Sequence, residues 1–123
     1  VFTVEVAGLA GLLVAKLHKI NDRLKPGIRP DRQVDKDASD VVRIILDCRI
    51  DDVAATIRGI RNHERAGRPT MEAIDLLLPL FGRPNSPGVE MAARALDTDM
   101  PAARVRAVCV AFATDLTRAV LRV

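Results

Sequence analysis

Tryptophan and tyrosine are absent from this chain of 123 residues, and phenylalanine occurs only three times. Single-stranded nucleic-acid modules stack bases on aromatic side chains, so the composition argues against that class. It also removes the usual aromatic anchors of protein interfaces. Cysteine is nearly as scarce. Cys48 and Cys109 each sit in an apolar helical stretch and are expected to be buried free thiols that act as small hydrophobes. They form neither a C-x-x-C pair nor a zinc-ligand spacing. No apolar run approaches the roughly 20 residues that a bilayer requires. The expectation is therefore a soluble, cytoplasmic protein with no membrane partner. No charge of one sign dominates either: the formal net charge is +3, with arginine supplying most of the basic residues. That balance permits contact with RNA, DNA or nucleotide phosphates without demanding it.

What is present is aliphatic. Apolar residues make up 49% of the chain and charged residues 28%, enough to build the core of one compact domain and too apolar for a disordered segment. Val1-Phe2-Thr3-Val4-Glu5-Val6 alternates and is rich in β-branched residues, which predicts one strand. Helix patterns fill the rest, over 8–25, 35–48, 52–66, 70–81, 87–96 and 100–122. Leu9, Leu13, Leu17, Ile20 and Leu24 form the first apolar stripe, which Pro26-Gly27 ends. A basic loop, Ile28 to Gln33, leads to a second helix with Val41, Ile44, Ile45 and Cys48 on its buried side. Asp51 reads as the N-cap of the third helix, and Gly67 as its exit. Pro79 must kink or end the fourth. Ser86-Pro87 reads as an N-cap with proline at the first helical position. The last helix carries Val105, Val108, Cys109, Phe112, Leu116 and Val120. The predicted fold is mainly α: a bundle of about six helices with one N-terminal strand. A lone strand leaves backbone groups unpaired, so the strand is expected to belong to a sheet whose other members lie elsewhere.

Two constellations carry chemistry. Lys16, Lys19 and Arg23 are spaced three and four apart and share a helix face, with His18 and Asp22 beside it. Asp37 and Asp40, three apart, share a face of the next helix. If the two helices pack antiparallel, the basic face and the acidic pair converge. Lysine and arginine suit phosphate oxygens, and carboxylates suit a metal, a base role or the orientation of a basic side chain. From spacing alone a solvated helix face and partners of the helix dipole fit equally well. A third feature is a run of Arg58, Arg61, Arg65 and Arg68 along the third helix and its exit, with Asn62 and His63 alongside. It is a candidate for contact with a nucleic-acid backbone.

The segment Ala10-Gly11-Leu12-Leu13-Val14-Ala15-Lys16-Leu17-His18-Lys19 with Arg23, followed by Lys36-Asp37-Ala38-Ser39-Asp40-Val41, resembles the AbiEii/AbiGii-type nucleotidyltransferase-like proteins, many of them toxins of toxin–antitoxin systems. The resemblance spans roughly the first 47 residues. It implies that Lys16 and Arg23 face nucleotide phosphates and that Asp37 and Asp40 are the acids of the following motif, with a catalytic role. The family's Gly-Ser segment and Asp-x-Asp-type pair, which hold magnesium and the triphosphate on a mixed sheet, have no counterpart here. By this reading the chain is the C-terminal helical portion of such a protein, inactive alone and holding no metal. Its partners would be the absent N-terminal sheet and an antitoxin or RNA. Two other readings remain. One is a free-standing interaction module that dimerises through its N-terminal strand. The other is a helix-turn-helix DNA-binding regulator that uses the arginine run.

Overall fold

A computed structural model describes residues 4–25 and 32–122, with side chains from 8–25 and 35–122. Six helices follow one another among these residues: α1 (Val4–Arg23), α2 (Arg32–Asp47), α3 (Ile50–Ile60), α4 (Gly67–Phe81), α5 (Pro87–Ala95) and α6 (Ala102–Leu121). Among the described residues there is no strand. Val4, Glu5 and Val6 belong to α1, which corrects the expected strand over 1–6; Val1 to Thr3 lie outside the described residues. The reason is backbone satisfaction. An isolated extended segment has no partner for its N–H and C=O groups, whereas lengthening α1 pairs them within the helix. The strand preference of valine, a few tenths of a kcal/mol per residue, is too weak to resist that. Dimerisation through this strand loses its described basis with it. Arg32 and Gln33, read as the end of the loop over 28–33, are in α2; the rest of that reading lies outside the described residues, which omit 26–31.

Helical periodicity decides which faces meet. Ala10, Leu13, Leu17 and Ile20 on α1 are buried, as are Ala38, Val41, Val42 and Ile44 on α2 and Val53, Ala54 and Ile57 on α3. Leu24, which continues the α1 stripe in sequence, is 40% exposed. Helix α1 packs against α2, α3 and α4, while α6 packs against α2, α3, α4 and α5. The α6 face Val105, Cys109, Phe112, Leu116 and Val120 closes one core with the other helices. Asp35 on α2 and Arg94 on α5 add a two-pronged tie across the bundle, with nitrogen–oxygen distances of 3.0 and 3.2 Å. No helix among the described residues is long and apolar enough to cross a membrane.

The α3–α4 corner departs from the sequence reading. Asp51 lies inside the first turn of α3, and extended Arg49 occupies the cap position without a side-chain cap bond. Asp51 and Asp52 therefore meet the positive end of the helix dipole rather than capping it. The helix ends at Ile60, six residues early, because His63 organises a turn. Its Nδ1 accepts the backbone N–H groups of Arg65 and Ala66 at 3.2 and 3.1 Å. Gly67 opens α4 instead of closing α3, and a Cβ there would collide with the backbone carbonyl of Arg61. Pro79 sits inside α4, which continues only to Phe81. Ser86 and Pro87 start α5 as read, although the Ser86 hydroxyl accepts the Arg83 N–H and does not cap the helix.

Candidate functional site

Lys16 sits beside Leu17 at the edge of the buried α1 stripe, so its alkyl stem follows the core while its ammonium group reaches α2. There it donates to Asp37 Oδ1 at 2.8 Å and lies 3.0 Å from Asp40 Oδ2. Lys19, one turn on, lies 3.3 Å from Asp37 Oδ2, an oxygen that makes no hydrogen bond among the described residues. Lys36 and Arg43 reach Asp40 from its own helix at 3.4 and 3.9 Å. The side chain of Asp37 is 0% exposed, against 17% for Lys16 and 42% for Lys19. Asp37 is buried because it precedes Ala38, Val41 and Val42 on the side of α2 turned to the core. The structure thus brings together Lys16, Lys19, Asp37 and Asp40 from two helices.

Arg23 is exposed in the last turn of α1, seven residues beyond Lys16, about 10 Å along the helix axis. His18 leaves the cluster on the other side: its Nε2 is 2.7 Å from the Pro69 carbonyl and ties α1 to the start of α4.

Electrostatics sets the protonation states. Burial pushes the Asp37 carboxyl up, but the hydrogen bond and charge of Lys16, followed by the nearby ammonium group of Lys19, outweigh it and hold the carboxyl below its ordinary value. Asp40 behaves alike, with desolvation opposed by Lys16 and then Lys36. Lys16 is held above 10.5, chiefly by its hydrogen bonds to Asp37 and Asp40. Lys16 is therefore a fixed cation, unsuited to act as a base or nucleophile near neutral pH, and the two acids are carboxylates, unsuited as proton donors. Their oxygens face ammonium groups, so the pair is a poor site for a divalent cation. No cluster of three or more His, Cys, Asp or Glu suited to a metal occurs among the described residues.

These shifts have a pH consequence. Carboxyls with depressed folded-state values stabilise the fold fully above the unfolded value near 4, and lose that contribution as pH falls through the folded value. The urea midpoint is expected to drop on acidification from about pH 5 to about pH 3, and to drop less in Asp37→Asn. An equal drop in the two proteins counts against the network as the source.

The arginine run does not form one face. Arg58 is half-buried on α3 and donates to the Ala119 carbonyl at 2.7 Å; Arg61, just past α3, donates to the Val120 carbonyl at 3.4 Å. Both are turned to the end of α6. Arg65 lies in the α3–α4 turn and Arg68 in the first turn of α4, both exposed. The helix ends before Arg61, which scatters the stripe. Cys109 is buried, which pushes its thiol up to about 12, and half-buried Cys48 is raised for the same reason; both are free.

Sequence reasoning did not include Lys36 and Arg43 in the cluster, although their i,i+4 and i,i+3 spacing to Asp40 signals the contacts. It also missed Arg122, which meets Arg58 and Arg61 around one cavity; more than sixty positions separate it from them and nothing in the spacing signals it.

No family model, no curated protein and no solved structure matches this chain.

Proposed function

We propose that this chain is the helical portion of a nucleotidyltransferase-like protein of the AbiEii/AbiGii type, in which Lys16 presents a fixed positive charge to nucleotide phosphates. The observation that carries the reading is a meeting of residues. Lys16 and Asp37, 21 positions apart and each within one half of the resembling segment, stand 2.8 Å from each other. A buried ion pair costs desolvation that two apolar side chains would avoid, which favours a role for the charges beyond holding two helices together. Asp37 has no exposed surface and acts through Lys16 as a positioning residue. Asp40, at its rim, shares that work. Arg23 would extend the basic face toward the same phosphates. The N-terminal strand gives this reading no support, since Val4 to Val6 are helical.

The chemistry of transfer would come from a sheet carrying magnesium-binding acids, with Asp37 and Asp40 occupied by lysines. The test is the coding sequence upstream of Val1. A Gly-Ser segment and an Asp-x-Asp-type pair are expected within about one domain length, roughly 100–150 residues. The protein that contains them should transfer a labelled nucleotide from a triphosphate in magnesium, and asparagine at the Asp-x-Asp pair should abolish transfer. A reading frame without those motifs overturns the proposal.

A further inference from the structure

A second basic site lies on a different part of the bundle, where the end of α6 meets α3. Arg58, Arg61 and Arg122 line an open cavity of about 420 Å³ together with Asp51 and Ala119. Among the described residues, the lining thus carries three arginines and one acid. Arg58 and Arg61 are already oriented, because each donates one N–H to a carbonyl of the last turn of α6, at Ala119 and Val120. Those bonds also occupy the carbonyls that would otherwise repel an anion at a helix C-terminus. The other N–H groups of a guanidinium fork remain available, and their planar geometry matches two oxygens of one phosphate. Arg122 follows α6 directly in an extended conformation and makes no ion pair or side-chain hydrogen bond with another described residue.

We propose that Arg58, Arg61 and Arg122 form a phosphate-binding site. The ligand group is a phosphate whose oxygens bridge at least two of the arginines, either on a small phosphorylated molecule or in a nucleic-acid backbone. Asp51 stands on the cavity wall as the opposing charge and keeps the affinity modest. The site does not depend on the nucleotidyltransferase reading, which concerns α1 and α2.

The test is calorimetric titration of the whole chain with sodium pyrophosphate in one arm and a short single-stranded RNA in the other, at low and at moderate salt. Binding to at least one probe is expected, weakening as salt rises. Arg122→Gln breaks no bond within the described fold and should weaken binding about tenfold, in line with loss of one charge-assisted contact. Arg61→Gln should act in the same direction, and Asp51→Asn should tighten binding. Pyrophosphate binding identifies a small phosphorylated ligand; binding of RNA alone identifies a backbone. Failure of both probes at millimolar concentration overturns the site. So does binding that survives Arg61→Gln and Arg122→Gln together, or binding lost instead in Lys19→Gln, whose side chain is 42% exposed and whose fold is checked by circular dichroism; that loss would place the anion at the α1–α2 cluster.

Discussion

Replacing Lys16 with methionine destabilises the protein by about 3–5 kcal/mol, the cost of leaving a buried charge without its partner. Among the described residues Asp37 then keeps Lys19 alone, which is 3.3 Å away and 42% exposed, too solvated to neutralise a carboxylate with no exposed surface. Asp37→Leu in the Lys16→Met background should recover most of the loss, because a well-packed apolar pair replaces the ion pair and its desolvation. The double change separates a structural from a functional pair: stability returns, while any dependence of nucleotide transfer on Lys16 does not. Lys36→Met offers a contrast. Its side chain is 62% exposed, so its loss is expected to cost no more than about 0.5 kcal/mol. Urea unfolding followed by circular dichroism measures all three. A Lys16→Met effect as small as that of Lys36→Met would mean that Asp37 is not held by this pair.

Phe81→Ala is expected to cost about 3–5 kcal/mol, from lost transfer energy plus the cavity left behind. Marginal stability of roughly 5–15 kcal/mol leaves little margin for that loss. The chain has three phenylalanines and no larger aromatic residue, and Phe81 is the largest fully buried side chain among the described residues. Its ring lies against Gly88 at the start of α5. A Cβ built on Gly88 would stand 2.6 Å from Phe81 Cζ and 2.6 Å from the Leu80 carbonyl oxygen, so Gly88→Ala should cost about 1–3 kcal/mol by overpacking. Combining it with Phe81→Leu relieves only the ring contact, since the carbonyl cannot retreat, and the two costs should add to less than their sum. Full additivity by thermal or urea unfolding would mean that Phe81 and Gly88 do not share the α4–α5 contact.

Helix positions were legible where apolar residues recur every three or four places. The α1 stripe Leu13, Leu17 and Ile20 and the α6 stripe Val105, Cys109, Phe112 and Leu116 are buried as read. Periodicity reports the face of a helix and leaves its ends open. The errors accordingly fall at ends: Val4 to Val6 join a helix because no second strand pairs with them, and α3 stops at Ile60 because the His63 imidazole captures two backbone N–H groups. A side chain that caps a turn looks in sequence like any other polar residue.

For the candidate site, the chain's order alone determined that Lys16 and Lys19 share one face and Asp37 and Asp40 another, because local spacing sets what a helix presents. Tertiary packing decided that the two faces meet, that Asp37 is buried while Asp40 stays at the rim, and that Arg58 and Arg61 turn to the end of α6 beside Arg122 instead of forming a stripe with Arg65 and Arg68. Those outcomes depend on which helices touch and where each one stops. Burial and protonation belong to the assembled bundle, since desolvation and opposing charge act through space between residues far apart along the backbone.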